Sequence, residues 1–245
     1  DMYRYLHDQT LRMANQGLTP NEIAEQLVLP VGLDSLFACR GYYGSLSHNV
    51  KSQYQMYFGW FDGNPANLNP LPPVELGRKY VEAIGGGERV IEVARKAYDE
   101  GEYRWCATLL NNLVFAEPEN QTARQLLADV YTQLGYQAES GPWRNFYLTG
   151  AKELRGEINR QVPNLVNASS VSNLGADMLL DFCAIQVNGM KAGDKRICIN
   201  LTFKDCGEKA MLLLNNGVLN HRMGYTDASA LLSLQVTRND FARLI

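Results

Sequence analysis

Ala94 and Ala128 stand 34 residues apart, and so do Gly101 and Gly135. That spacing constrains the chain more tightly than its composition does. Small residues at helix crossings, with a proline (Pro118) at the hand-over, are the signature of tetratricopeptide-like helix pairs. The period predicts helices over 88–99, 103–116 and 120–134, then one from near Ser140 to about Arg160. Two such units are too few for a free-standing array, so they belong to a larger helical domain. Upstream, Met2, Tyr5, Leu6, Met13 and Ala14 mark an amphipathic helix that Gly17 stops. Thr19-Pro20-Asn21-Glu22 is a capping box with proline at the first helical position, and it predicts a helix running to Leu29, before Pro30. A further helix opens at Pro73 and reaches about Ala83. Gly85-Gly86-Gly87 then reads as a turn: with no strand before it and no Lys-Ser/Thr after it, it is not a phosphate loop.

After about residue 160 the pattern changes. Residues 161–173 are a polar linker, and 174–245 read as a smaller α+β domain. Asp177 to Val187 is helical, whereas Arg196–Phe203, Ala210–Leu214, Val218–Arg222 and Leu231–Val236 have strand character. Asn215-Asn216-Gly217 supplies a hairpin turn, and Arg238 opens a last helix. Asn220, His221 and Arg222 read as exposed strand residues rather than ligands. The fold class is therefore a mainly α domain, 1–160, followed by a smaller α+β domain.

Of the 245 residues, 46% are hydrophobic and 20% charged, which is ordinary globular material. A net charge of −3 gives no sign of nucleic-acid or membrane-surface binding, and no apolar run is long enough to span a bilayer. Cys39, Cys106, Cys183, Cys198 and Cys206 are scattered without metal-ligand spacing, and read as small buried hydrophobes. Three histidines far apart predict no zinc site within this chain. Asn120, Asn167 and Asn200 head glycosylation sequons, a pattern short enough to recur by chance. Asp1 falls inside an amphipathic helix with no start methionine, so further sequence is expected upstream, and no signal peptide is expected here.

The chemistry concentrates in Arg40-Gly41-Tyr42-Tyr43-Gly44-Ser45-Leu46-Ser47-His48-Asn49-Val50-Lys51, running on through Tyr54 and Tyr57 to Gly59-Trp60-Phe61-Asp62-Gly63-Asn64-Pro65-Ala66. Most of these side chains carry a polar tip on an apolar body, so burying them is costly unless each tip finds a partner. Ser45 or Ser47 can cap a helix that places Arg40 and His48 at its N-terminal end, where an oxyanion is also favoured. Two readings stand: a site for sulfate, phosphate or carboxylate, or a polar network that fixes a turn. His7 and Asp8, on the first helix, read as surface or structural. Asp62–Pro73 is too rich in proline for helix or sheet, with Trp60 and Phe61 available to order it.

This stretch, with Gly59–Pro73, Gln133-Leu134-Gly135-Tyr136-Gln137-Ala138-Glu139-Ser140 and Trp143–Arg155, resembles the linear primary alkyl sulfatases of the metallo-β-lactamase superfamily. The resemblance covers nearly the whole chain. It implies a zinc-dependent parent that hydrolyses long-chain primary alkyl sulfates to alcohol and sulfate. It assigns 1–160 to homodimerisation and 174–245 to a truncated sterol-carrier-protein-like domain that shelters an alkyl sulfate or other aliphatic ligand. A periplasmic or secreted location is implied likewise. The family's two zinc ions are bound by a His-x-His-x-Asp-His run and further acidic and histidine ligands; none of these occurs here, so the metal domain becomes a partner and this chain alone is expected to be inactive. Substrate-binding candidates are His48 and Asn49, a tyrosine such as Tyr54 or Tyr57, and Arg40, Tyr42 and Tyr43. Arg40 is a sulfate clamp or a structural pair. No catalytic residue and no metal ligand is assigned within the chain. Two other classes compete: a non-catalytic helical scaffold for protein–protein interaction, and a lipid-carrier module.

Overall fold

The computed structural model describes residues 1–158 and 174–244; the linker expected at 161–173 lies outside them. The chain divides into two compact units, Asp1–Asn159 and Arg160–Ile245, each described by itself.

In the first unit, α1 (Met2–Ala14), α2 (Pro20–Gln26) and α4 (Leu46–Phe58) enclose a small core of Met13, Ile23, Leu27, Val50 and Tyr54. A short turn of helix, α3 (Val31–Asp34), links them. Thr19 and Glu22 cap α2 reciprocally, as the sequence predicts. The helix ends earlier than expected, at Gln26. Leu29 precedes a proline and is barred from helical backbone, and the chain turns extended at Leu27, which buries its side chain.

The larger core lies among α5 (Pro73–Ile84), α6 (Gly87–Asp99), α7 (Tyr103–Ala116), α8 (Gln121–Gln137) and α9 (Gly141–Arg155). Its centre is apolar and small-residue rich: Val90, Ala94, Leu110, Leu113, Ala123, Leu127 and Val130 are all buried. Gly77 allows α5 to lie against α7, since a Cβ there would sit 2.5 Å from the Asn112 carbonyl oxygen. The repeat is imperfect in one respect. Gly101 is a left-handed turn residue at φ +78, but Gly135 lies inside α8, where a Cβ would meet Leu148 of α9 at 2.8 Å. The two glycines thus share a spacing and differ in role: one turns the chain and the other admits a neighbouring helix.

The second unit holds α10 (Ala176–Gln186), α11 (Gly189–Ala192), strands β1 (Ile197–Phe203), β2 (Lys209–Asn215), β3 (Val218–Met223) and β4 (Leu232–Val236), and α12 (Arg238–Ala242). The sheet order is β3-β2-β1-β4, antiparallel except for the parallel β1–β4 pair. Asn216 at φ +51 and Gly217 at φ +75 form the tight β2–β3 turn. Leu201, Phe203, Ala210 and Leu212 point from the sheet to Leu179, Leu180 and Phe241. The guanidinium of Arg238 binds Asp205 at 2.8 Å and the Leu174 carbonyl at 3.0 Å. His221 is half-buried 3.6 Å from Asp181, and Arg222 lies over the Tyr225 ring.

Cys106 is buried and donates to the Ala94 carbonyl, and burial pushes its thiol up to about 11. The expectation that most cysteines are buried holds only for Cys106: Cys39, Cys183 and Cys198 are half-buried, and Cys206 is exposed in the β1–β2 turn beside Glu208. Asn120 and Asn200 both have structural work: Asn120 caps α8, and Asn200 exchanges two hydrogen bonds with Asp227. No helix among the described residues is long and apolar enough to cross a membrane.

Candidate functional site

Residues 40–45 form a loop that leads into α4 and lies beside the α8–α9 turn. Two backbone-directed bonds tie them together: Gly41 N–H donates to the Glu139 carboxylate, and Gly141 N–H donates to the Tyr42 carbonyl, both at 3.0 Å. A Cβ at Gly41 would sit 2.6 Å from the Glu139 carboxyl carbon, and one at Gly44 would sit 2.9 Å from the Asn49 side chain. Both glycines therefore permit contacts that an alanine would crowd.

Ser45 caps α4. Its Oγ accepts the His48 N–H and lies 2.7 Å from His48 Nδ1. The His48 ring meets the Trp143 ring edge-on, with centroids 4.7 Å apart. This partial burial, and then the Lys51 charge, hold the imidazole pKa below its usual value, so His48 is neutral at pH 7. Nδ1 is occupied by Ser45, and Nε2 has no hydrogen-bond partner among the described residues.

Three cavities surround this corner. One of about 540 Å³ is lined by Arg40, Tyr42, Tyr43 and Asn49. A second, about 390 Å³, is bounded by Tyr43, His48, Pro142, Trp143, Phe146 and Tyr147. The third, about 270 Å³, adds Glu25, Lys51, Arg104 and Gln137 to His48, Trp143 and Tyr147. Arg40 is exposed and makes no side-chain hydrogen bond or ion pair among the described residues.

The α4 tyrosines lie elsewhere. Tyr54 is only 9% exposed, stacked on Phe58 in the α1–α2–α4 core. Tyr57 is 52% exposed, and its hydroxyl lies 2.9 Å from His7 Nε2, while Asp8 holds His7 Nδ1 at 2.8 Å. His48 and Tyr57 are nine residues apart, about 13 Å along the axis and half a turn round it. The structure brings together Arg40, Tyr42, Tyr43, His48 and Asn49, and leaves Tyr54 and Tyr57 apart from them. Trp60, 71% exposed, does not anchor the proline-rich segment in the first unit; Asp62 orders it through Asn64 and Asn67.

The alkyl sulfatase dimerisation model matches residues 19–157, and the alkyl sulfatase C-terminal model matches 164–245. The chain belongs to the alkyl sulfatase family. It is 49% identical over 239 residues to a linear primary-alkylsulfatase of Pseudomonas sp., covering 97% of this chain and 36% of that protein. It is 47% identical to the alkyl/aryl-sulfatase BDS1 of Saccharomyces cerevisiae, covering 97% of this chain and 37% of that one. Among solved structures, the stereoselective inverting sec-alkylsulfatase Pisa1 from Pseudomonas sp. superposes with a TM-score of 0.93 at 42% identity, covering 99% of this chain and 38% of that chain. The chain thus spans a little over a third of the length of the curated relatives it matches.

The histidines do not converge in this alkyl sulfatase chain. His7 lies with Asp8 and Tyr57, His48 with Ser45, and His221 with Asp181. Among the described residues no three His, Cys, Asp or Glu side chains gather as a metal site. Sequence reading missed two members of the loop corner, Trp143 and Glu139. Both fall within blocks quoted for the resemblance, yet nothing local in them points to a partner in residues 41–48. His7 and Asp8, read from the sequence as surface or structural, form a hydrogen-bonded set with Tyr57.

Proposed function

We propose that this chain is the dimerising and C-terminal part of a homodimeric enzyme that hydrolyses long-chain primary alkyl sulfates to an alcohol and inorganic sulfate. The observation that carries the reading is the consecutive match of two alkyl sulfatase models along one chain, 19–157 and 164–245. Two zinc ions belong to the same reading, held by a metallo-β-lactamase-like domain outside these residues. What this chain supplies is substrate contact. Ser45 accepts the His48 N–H and lies against Nδ1; in the tautomer where its hydroxyl donates to Nδ1, His48 carries its proton on Nε2. A neutral Nε2–H is a donor for a sulfate oxygen. Arg40, Tyr42, Tyr43 and Asn49 line the adjoining cavity and supply further donors to the same anionic group.

The test is His48→Ala in the full-length protein, with melting temperature and alkyl sulfate kinetics measured side by side and the dimer checked by light scattering. Turnover is expected to fall about 10- to 100-fold, the effect of losing one charge-assisted hydrogen bond, with the melting temperature held within a few degrees. Unchanged kinetics with a lowered melting temperature would assign His48 to the polar network that merely fixes the turn.

A further inference from the structure

One ordered set of side chains lies outside the corner around His48. Asp8 Oδ1 lies 2.8 Å from His7 Nδ1, and His7 Nε2 lies 2.9 Å from the Tyr57 hydroxyl, which links α1 to the last turn of α4. Arg4, one turn before Asp8 on α1, holds the other carboxylate oxygen at 2.6 Å. The hydrogen bond from His7, and then that from Arg4, keep the Asp8 carboxyl below its ordinary range, so it is ionised at neutral pH and accepts from Nδ1–H. A neutral imidazole with its proton on Nδ1 has a lone pair on Nε2. The Tyr57 O–H therefore donates to it, and the phenol oxygen keeps its own lone pairs. Tyr57 is 52% exposed and His7 half-buried, so the pair is reached from solvent. Among the described residues, the other two histidines each lack one part of this order. His48 faces a buried serine with no carboxylate behind the ring, and His221 has Asp181 but no hydroxyl.

We propose that Asp8 and His7 make Tyr57 a nucleophilic phenol, a site at which electrophiles of the sulfonyl class modify the protein. A hydroxyl and a base within hydrogen-bond reach, with the base oriented by a third group, is the arrangement that activates a nucleophile. With a sulfonyl fluoride, the Tyr57 oxygen attacks sulfur; an O–S bond forms, the S–F bond breaks and fluoride leaves. The phenol proton passes to His7 Nε2, and the Asp8 carboxylate stabilises the imidazolium until solvent takes the proton. Asp8 acts only through His7 and is a positioning residue: its carboxylate fixes the tautomer that leaves Nε2 able to accept. A phenol oxygen is a hard nucleophile suited to a hexavalent sulfur centre, and the aryl sulfonate ester that results is slow to hydrolyse, so the adduct persists. On α4 this site lies about 13 Å along the axis from His48 and half a turn round it. It is independent of the sulfate contacts at the other end of the helix.

The probe is benzenesulfonyl fluoride in small molar excess over the full-length protein, with labelled positions and rates read by peptide mass spectrometry. Tyr57 is expected to react about 10- to 100-fold faster than Tyr43 and Tyr136, the lower reach of general-base catalysis because the pair is open to water. Exposure favours the opposite ranking, since Tyr43 is 84% exposed and Tyr136 73%. His7→Gln keeps a hydrogen-bonding side chain but loses the base, and should bring Tyr57 down to the rate of those two tyrosines. In Asp8→Asn the amide can donate to Nδ1, which moves the ring proton to Nε2 and turns a donor toward Tyr57; its labelling should fall about tenfold. A melting curve of each variant checks that the fold is kept. The wild-type ranking by itself decides whether Tyr57 is activated, so a variant that fails to fold does not spoil the test. Labelling ordered by exposure, with Tyr57 the slowest of the three, overturns the proposal. So does a Tyr57 rate that persists in folded His7→Gln, and an unchanged rate in folded Asp8→Asn overturns the part given to the carboxylate.

Discussion

The two ends of α4 start from similar material, polar-tipped aromatic and imidazole side chains on one helix, and reach different environments. At the N-terminal end, Ser45, His48 and Asn49 meet a loop and the start of α9, and their polar atoms border three cavities. At the C-terminal end, Tyr54 is driven into the α1–α2–α4 core, and Tyr57 is paired with His7 on α1. The difference lies in what packs alongside. A helix laid parallel along α4 covers a stripe and buries whatever lies on it. Beside the N-terminal end, the start of α9 meets α4 through the His48–Trp143 ring contact, and a cavity remains next to it. The same residue types thus serve packing at one end and open a binding corner at the other.

Three substitutions sharpen that contrast. The largest effect belongs to the packed end. Tyr54→Ala removes a ring that is 9% exposed and should cost about 3–5 kcal/mol, seen as a fall in denaturant midpoint. A cost under about 1 kcal/mol would mean that α4 is not held there by its core stripe. Next comes the cap. Ser45→Ala deletes the acceptor for the His48 N–H and frees Nδ1, at a cost of about 1 kcal/mol, and should depress alkyl sulfate turnover together with stability. A variant that loses stability alone would separate the cap from the site. The smallest effect is at the exposed pair: Tyr57→Phe removes one hydroxyl from the His7 contact and should change stability by about 0.5 kcal/mol or less.

Much of the first unit was legible because its signals are local. The Thr19–Glu22 box, Pro73 and the 34-residue period each act within a few turns of helix, and α2, α5, α6 and α7 begin within a residue or two of their expected places. Where the reading slipped, the deciding contact came from far along the chain. The helix expected to stop at 134 runs on through Gly135 to Gln137, because Gly135 admits Leu148 of α9 where Gly101 turns the chain. Tyr54 and Tyr57 looked equivalent as sulfate candidates. Their difference arises on α1, which buries one and gives the other a partner in His7. The sheet was readable from alternation and from Asn215-Asn216-Gly217, but its strand order was not, because the parallel β1–β4 pair depends on which edge the returning chain reaches.

What the sequence by itself determined is therefore the kind and order of elements, and that residues 40–57 concentrate hydrogen-bonding chemistry at the start of a helix. Propensity, capping and turn geometry are short-range effects, readable from neighbours in the chain. Only the tertiary structure decided which of those polar tips stay available. Burial depends on what packs alongside: α1 claims Tyr54 and Tyr57, while Trp143 and Glu139, some ninety residues on, close around His48 and Gly41 and leave Nε2 free.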